Sequence, residues 1–187
     1  MRTGRRNVEG NVPMRKAHGV IHLPALPAQD VWHAWSRLTL HAIEPLSTVT
    51  VVLDAGGLRS GDVAGLILSG SCSAWLGVER AGGRLTLTQS DERRGTTCRV
   101  GLRNRRVWLR AACDFARRET SFGYSTDGSG FSAIDEPSPM GEGPVAARGI
   151  ACSLFCCATK AGAGGGHADF ERFVLTTEPA PHLNGPR

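Results

Sequence analysis

Residues 74–89 read AWLGVERAGGRLTLTQ, and this stretch decides the fold class. Two segments of strand-like residues, 74–79 and 84–89, flank the pair Gly82-Gly83. Such a pattern is typical of a β-hairpin, because glycine adopts the positive φ angles that a tight turn needs. The stretch therefore predicts two antiparallel strands, each with one buried and one solvated face.

Similar segments recur on both sides of this hairpin. Short alternating or apolar runs, separated by turn residues, occupy residues 37–41, 48–53, 64–68, 107–111, 120–126, 152–158 and 168–176. Asp127-Gly128, at the end of one run, is a preferred pair for a two-residue hairpin turn. About nine short strands with regular turns predict an all-β fold, an antiparallel two-sheet jelly-roll sandwich. The best helix candidate is short and runs from Asp30 to Leu38.

The length of 187 residues suits a single domain. Residues 1–28 are polar, contain three prolines and show no sustained period, so we expect a poorly ordered basic N-terminal segment. Residues 177–187 also contain three prolines and are expected to form a loose C-terminal tail. The β-sandwich domain is then expected to span residues 29–176.

The formal net charge is +5, and five basic but only two acidic residues fall within residues 1–30. This excess fits either an arm for an anionic partner or a solvated basic tail. The tail is favoured, because the basic residues form no single run and do not alternate with aromatic residues. No stretch resembles a secretory signal or a membrane span. We expect a cytoplasmic protein with reduced cysteines, and neither nucleic acid nor a membrane as its partner.

Reactive side chains form no recognisable catalytic or metal-binding pattern. Asp169 and Glu171 share one face of a strand, where a solvated surface is a better explanation than a catalytic pair. His167 and Asp169 are too few ligands for a metal ion. The cysteines within residues 152–157 cannot converge, because Cys157 points to the opposite side of the strand. We therefore expect no catalytic residue, no metal and no cofactor.

Sugar rings stack on exposed aromatic side chains, and Trp75, Trp108, Phe122 and Tyr124 are the candidates. Trp108 and Arg110 lie on one side of a strand whose other side is apolar, so both are expected to face outward. The predicted carbohydrate-binding residues are Trp108, Arg110, Trp75 and Tyr124. The favoured alternative is that Trp108 packs against a sheet edge or a partner domain.

Four motifs in this order resemble one known family. They are residues 61–66 (GDVAGL), 107–110 (VWLR), 122–131 (FGYSTDGSGF) and 167–173 (HADFERF). Together they are similar to the C-terminal concanavalin A-like domain of family 43 glycoside hydrolases, the β-xylosidase group, over roughly residues 36–176. Ala147 stands where the family has a phenylalanine that helps to close the catalytic pocket.

The resemblance implies a jelly-roll sandwich that packs against a five-bladed propeller, which carries the catalytic carboxylates of the family. The residues before the first matching strand are too few for a propeller, so we expect no enzyme activity from this chain alone. The leading hypothesis is a noncatalytic accessory module that packs on a glycosidase catalytic domain in xylan or arabinoxylan breakdown. The alternatives are a free-standing protein that binds carbohydrate such as a xylo-oligosaccharide, and a degenerate fragment of a glycoside hydrolase gene.

Overall fold

The computed structural model describes residues 15–17, 19–70, 73–140, 149–160 and 164–177. Eight strands form the first sheet: β1 (Arg15–Ala17), β2 (Val20–Pro24), β5 (Leu46–Asp54), β10 (Arg106–Asp114), β11 (Glu119–Ser125), β12 (Ser132–Ala133), β13 (Ser138–Pro139) and β15 (His167–Thr176). Seven form the second sheet: β3 (Leu26–Pro27), β4 (Ser36–His41), β6 (Asp62–Gly70), β7 (Ala74–Ala81), β8 (Arg84–Asp91), β9 (Gly95–Leu102) and β14 (Ile150–Ala158). A single 3-10 turn, Val31–His33, precedes β4.

The two sheets are antiparallel except where β3 runs parallel to β14. The first sheet has the order β1-β2-β15-β5-β10-β11-β12, with β13 beside β11. The second has the order β3-β14-β6-β7-β8-β9, with β4 also beside β14. This architecture confirms the predicted all-β, two-sheet antiparallel sandwich. Within the described ranges, no helix is long and apolar enough to cross a membrane.

The main core lies between the two sheets. Both sheets contribute fully buried side chains to it, among them Leu53, Leu109 and Phe170 from the first and Leu66 and Leu76 from the second. Burial of one such side chain stabilises the fold by about 1.5–3 kcal/mol, so this layer holds the sandwich together.

A second apolar cluster lies on the outer side of the second sheet. Trp75 and Phe155 meet there edge to face, with their ring centroids 5.9 Å apart. Val31 and Ala34, from the segment before β4, pack over them. The chain therefore covers this outward apolar patch with its own residues.

The predicted N-terminal boundary needs correction. Residues 15–27 contain β1, β2 and β3, although the sequence predicted a poorly ordered segment up to residue 28. Ile21 and Leu23 are buried in the core, and β2 pairs with β15. The short run of residues 20–24 between polar residues and prolines carries little local signal, and its stability comes from pairing with a strand near the other end of the chain. Residues 1–14 and the expected tail beyond residue 177 lie outside the described residues.

The helix candidate from Asp30 to Leu38 forms only one 3-10 turn. The Asp30 carboxylate accepts a 3.0 Å hydrogen bond from the backbone N–H of His33 and starts one 3-10 turn. Ala34 is already extended, and from Ser36 onward the chain pairs with β14. Pairing with an existing strand thus outweighs the weak local preference for a helix.

The two predicted hairpin turns have different outcomes. β7 and β8 pair up to Ala81 and Arg84, and Gly82 and Gly83 both have positive φ, as predicted. The two-residue turn at Asp127-Gly128 is wrong, because β11 ends at Ser125 and β12 begins at Ser132. A longer loop connects them and places Phe131 in a buried position.

Candidate binding face on the eight-stranded sheet

The outer face of the first sheet is the surface that carries the predicted Trp108 and Arg110. Along β10 the residues alternate between buried and partly exposed positions. Val107, Leu109 and Ala111 face the core, so Trp108 and Arg110 face outward, as the alternation predicts.

The indole of Trp108 packs against the first sheet and against the loop that follows β11, and part of its surface stays exposed. Its neighbours across the strands are Val52 on β5 and Ser125 on β11. Gly128 lies so close that a Cβ at that position would be 2.7 Å from Cε2 of the indole. The Arg106 guanidinium lies 5.8 Å from the centre of the indole ring, within the range of a cation–π contact. An incoming ligand or partner would therefore meet an indole in a fixed position.

Arg110 already has partners within the domain. Its guanidinium carbon lies 3.6 Å from the centre of the Phe131 ring, and Nε donates a 3.3 Å hydrogen bond to the Thr50 hydroxyl. Burial lowers the pKa of this guanidinium. Arg110 thus joins β10, β5 and the loop before β12, and its contacts are those of a structural residue.

Trp75 does not lie on this face. It belongs to the covered cluster on the outer side of the second sheet, where its side chain is only 6% exposed. The segment of residues 28–34 would have to leave before a sugar could stack on this indole. The structure therefore leaves Trp75, one of the predicted carbohydrate-binding residues, covered and on a different sheet from Trp108.

Tyr124 and Phe122 point the other way. In an antiparallel pair, residues directly opposite each other have their side chains on the same face. Tyr124 is opposite Leu109 and Phe122 is opposite Ala111, and both pack against the main core. The predicted set therefore does not converge, and Trp108 is the member that keeps accessible aromatic surface on the outer face of the first sheet.

Charged residues surround Trp108 on the same face. The Arg106 Nη2 donates a 2.7 Å hydrogen bond to the carboxylate of Glu171 on β15. At the neighbouring register position, Asp54 on β5 lies opposite both Arg106 and Asp169. Glu171 and Asp169 share a face, as predicted, but each carboxylate is matched to a different basic side chain, which is unlike a pair of carboxylates aimed at one substrate bond.

Sequence reasoning missed His22. This residue lies on β2 directly opposite Asp169, and its Nδ1 is 2.7 Å from the Asp169 Oδ1. The ring of His167 lies next to it, with the two imidazole centroids 4.3 Å apart. No local signal links His22 to residues 145 or more positions later, so only the pairing of β2 with β15 reveals the group.

The cysteines on β14 are poor candidates for chemistry. Burial raises the pKa of the Cys157 thiol to about 12 and raises that of Cys156 as well. A thiol with a raised pKa supplies little of the thiolate that nucleophilic attack or metal binding needs. Cys156 packs in the main core and Cys157 in the outer cluster, so these side chains are small hydrophobic residues in two separate clusters.

Comparisons with known proteins agree with this architecture. A family model described as the β-xylosidase C-terminal concanavalin A-like domain matches residues 5–176. A bifunctional GH43-CE protein of Bacteroides eggerthii is 29% identical, with a TM-score of 0.79, and the match covers 88% of this chain. The GH43 BlXynB protein of Bacillus licheniformis is 16% identical, with a TM-score of 0.71 over 85% of this chain, and this likeness shows the fold.

The solved structures differ in how much of their own length this chain matches. This chain spans 22% of the Bacteroides eggerthii protein and 33% of the Bacillus licheniformis protein. A functionally unknown protein of Saccharomyces cerevisiae shares the fold, with a TM-score of 0.68 and 14% identity, over 89% of this chain and 92% of that one. No curated protein sequence matches this chain.

Proposed function

This chain belongs to the family of β-xylosidase C-terminal concanavalin A-like domains, and from that premise we propose that it is a noncatalytic accessory domain that packs against a glycoside hydrolase catalytic domain. The observation that carries the proposal is the share of the matched GH43 proteins that this domain occupies, 22% and 33%. In those proteins the domain is one part of a longer chain. The Ala147 expected to replace a pocket-closing phenylalanine lies outside the described residues.

The outer face of the first sheet is the surface that we assign to the partner. The apolar patch outside the second sheet is already covered by the chain itself. On the first sheet, Trp108 is partly exposed and Val174 on β15 is 50% exposed. The charged pairs around Trp108 would form a polar rim, which is usual for contacts between domains.

The biological setting is proposed from the family. A catalytic domain of this family would act on xylan or arabinoxylan, and xylo-oligosaccharides would be ligands of that partner. We place the protein in the cytoplasm, where thiols stay reduced.

A second candidate function is carbohydrate binding by the domain itself. One observation favours it: Trp108 lies beside Arg106, which is paired with Glu171, and part of the indole is exposed. An aromatic surface with polar neighbours is the arrangement on which a sugar ring would stack.

A titration with xylohexaose, followed by tryptophan fluorescence and calorimetry, tests the proposed function against the second candidate. The accessory role predicts no saturable change at millimolar sugar, because a single half-covered indole offers too little surface. A saturable response that disappears in Trp108→Ala would assign carbohydrate binding to this face and contradict a purely accessory role. Trp35→Ala is the matched control, since Trp35 is 69% exposed and directly precedes β4 of the second sheet, whereas Trp108 lies on the first.

A further inference from the structure

Two histidines and one aspartate meet where β2 pairs with β15. Asp169 and His22 are direct partners in the strand register, and His167 precedes Asp169 by two positions, so all three side chains lie on the same outer face. His22 Nδ1 is 2.7 Å from Asp169 Oδ1, and His167 Nε2 is 4.0 Å from Asp169 Oδ2. One ligand atom from each of the three lies within 4.8 Å of the others.

These distances suit a metal ion with small side-chain adjustments. Zinc binds imidazole nitrogen and carboxylate oxygen at about 2.0–2.2 Å, which places neighbouring tetrahedral ligands about 3.3 Å apart. The two observed separations, 2.7 Å from His22 to Oδ1 and 4.0 Å from His167 to Oδ2 of Asp169, lie on either side of that value. Each separation differs from that value by less than about 1 Å, so a small shift of the Asp169 and His22 side chains would suffice.

The backbone around His167 holds its ring in place. The His167 N–H donates a 3.0 Å hydrogen bond to the Gly57 carbonyl. A Cβ at Gly57 would lie 2.3 Å from His167 Nε2, so the ring occupies space that any other residue type at position 57 would fill. This close contact with Gly57 involves neither His22 nor Asp169, and it restricts the position of the His167 ring.

The group is open to solvent, which leaves an ion a route in. The three side chains are 37–40% exposed, so an ion can enter from solvent and a water molecule can complete the coordination. Asp54, opposite Asp169 on β5, adds a carboxylate next to the group. The Asp54 carboxylate is directed to the Gly56 N–H and the Arg105 guanidinium, so it contributes charge and is not itself counted as a ligand.

We propose that His22, His167 and Asp169 bind a divalent transition-metal ion, with Zn²⁺ as the first candidate. Imidazole ligands select zinc, nickel or copper over calcium and magnesium, which prefer sites made of oxygen atoms. The ion would connect β2 to β15, and so attach the N-terminal strands to the rest of the first sheet. The sequence prediction of no metal rested on too few ligands, and His22 supplies the missing one.

The test is a calorimetric titration of the metal-free, full-length chain with Zn²⁺ alone under reducing conditions. We expect binding of one equivalent, and affinity at least tenfold weaker in His22→Gln and in His167→Gln. The matched control is His33→Gln: His33 Nδ1 lies 2.7 Å from Asp30 Oδ1, the same separation as in the His22 pair, and this pair belongs to no three-residue group within the described ranges. This control should keep the wild-type affinity.

Thermal unfolding provides a second readout. An ion that binds only the folded state at about 100 times its Kd should raise the Tm by roughly 5–10 °C for a domain of this size. The shift should vanish in both glutamine variants, while their Tm without zinc stays close to that of the wild type. Absence of binding, or binding that survives His22→Gln and His167→Gln, would overturn the proposal, because the ion would then be held elsewhere, for example by thiols.

Discussion

Asp127 shows how a single carboxylate organises the loop after β11. Its Oδ1 accepts hydrogen bonds from the Ser125 hydroxyl and from the Ser129 N–H, both 2.9 Å long. These bonds hold the pKa of Asp127 at about 2, below its ordinary value of 3.8, and the bond from the Ser129 backbone has the largest effect. The loop that begins here carries Gly128 against the indole of Trp108, so the carboxylate indirectly sets the outer face of the first sheet.

We predict a pH-dependent effect of Asp127→Asn. A carboxylate whose pKa is lower in the folded state stabilises the fold above its unfolded pKa, and this contribution is lost as the pH falls through the folded pKa. The wild type should therefore exceed the variant in stability above pH 4, and the difference should shrink between pH 3.8 and about 2. Urea unfolding at several pH values measures it; a difference that stays constant over this range would show that ionisation of Asp127 plays no part.

Single residues also show where sequence reasoning works. The outward direction of Trp108 follows from the alternation along its own strand, which is local information. The burial of Trp75 depends on residues 28–34, which pack over it from some forty positions earlier, and the orientation of Tyr124 depends on its register with Leu109. His22 has no local signal at all. Side-chain direction was thus predictable within a strand, and neighbours from distant strands were not.

At the scale of elements, two facing glycines shape the centre of the second sheet. Gly65 on β6 lies opposite Gly77 on β7 and also opposite Phe155 on β14. A Cβ at Gly65 would lie 2.2 Å from the Leu76 carbonyl oxygen, a backbone atom of the neighbouring strand. The missing side chains let β6 and β7 approach closely beneath the Phe155 ring, whose Cζ is 3.2 Å from the Cβ position of Gly77.

We therefore predict that Gly65→Ala destabilises the domain by about 1–3 kcal/mol, because strand backbones cannot move apart without breaking the ladder. Gly101→Ala on β9 is the matched control: it is also a strand glycine, but a Cβ there would meet nothing within 4 Å. Its effect should stay within about 0.5 kcal/mol. Equal losses in the two variants, measured by guanidinium unfolding, would argue against the close approach of β6 and β7.

Elements that are bounded by clear turn residues were predictable from the sequence. The β7–β8 hairpin has both the alternation and the glycine pair, and the structure reproduces it. β9 was not predicted, because residues 95–102 mix polar and small residues. This strand lies at the edge of the second sheet, and its residues are all exposed or partly exposed. The helix candidate from Asp30 to Leu38 also failed, because Leu38 packs against the main core as part of β4 and Trp35 is exposed. In both segments, pairing with strands elsewhere in the sequence determined the structure.

At the scale of the molecule, the segment from residue 15 to residue 41 ties the two sheets together. It supplies β1 and β2 to the first sheet and β3 and β4 to the second. Its 3-10 turn, between β3 and β4, covers the apolar patch on the outer side of the second sheet. The pairings of β2 with β15 and of β4 with β14 join the two ends of the chain. A domain boundary at residue 29 would cut through this arrangement, so the fold begins within the segment that composition alone marks as a tail.

We propose the outer face of the first sheet as the surface for a partner, and the coupled unfolding of the two domains tests this proposal. The full chain would replace the matching region of the Bacteroides eggerthii GH43-CE protein, and scanning calorimetry would compare the Tm of this domain in the exchanged protein with its Tm alone. A contact between domains stabilises both, so we predict that the domain unfolds several degrees higher in the exchanged protein. Trp108→Ala should reduce this shift, whereas Trp35→Ala should leave it unchanged. A domain that unfolds at the same temperature alone and in the exchanged protein would contradict the accessory role.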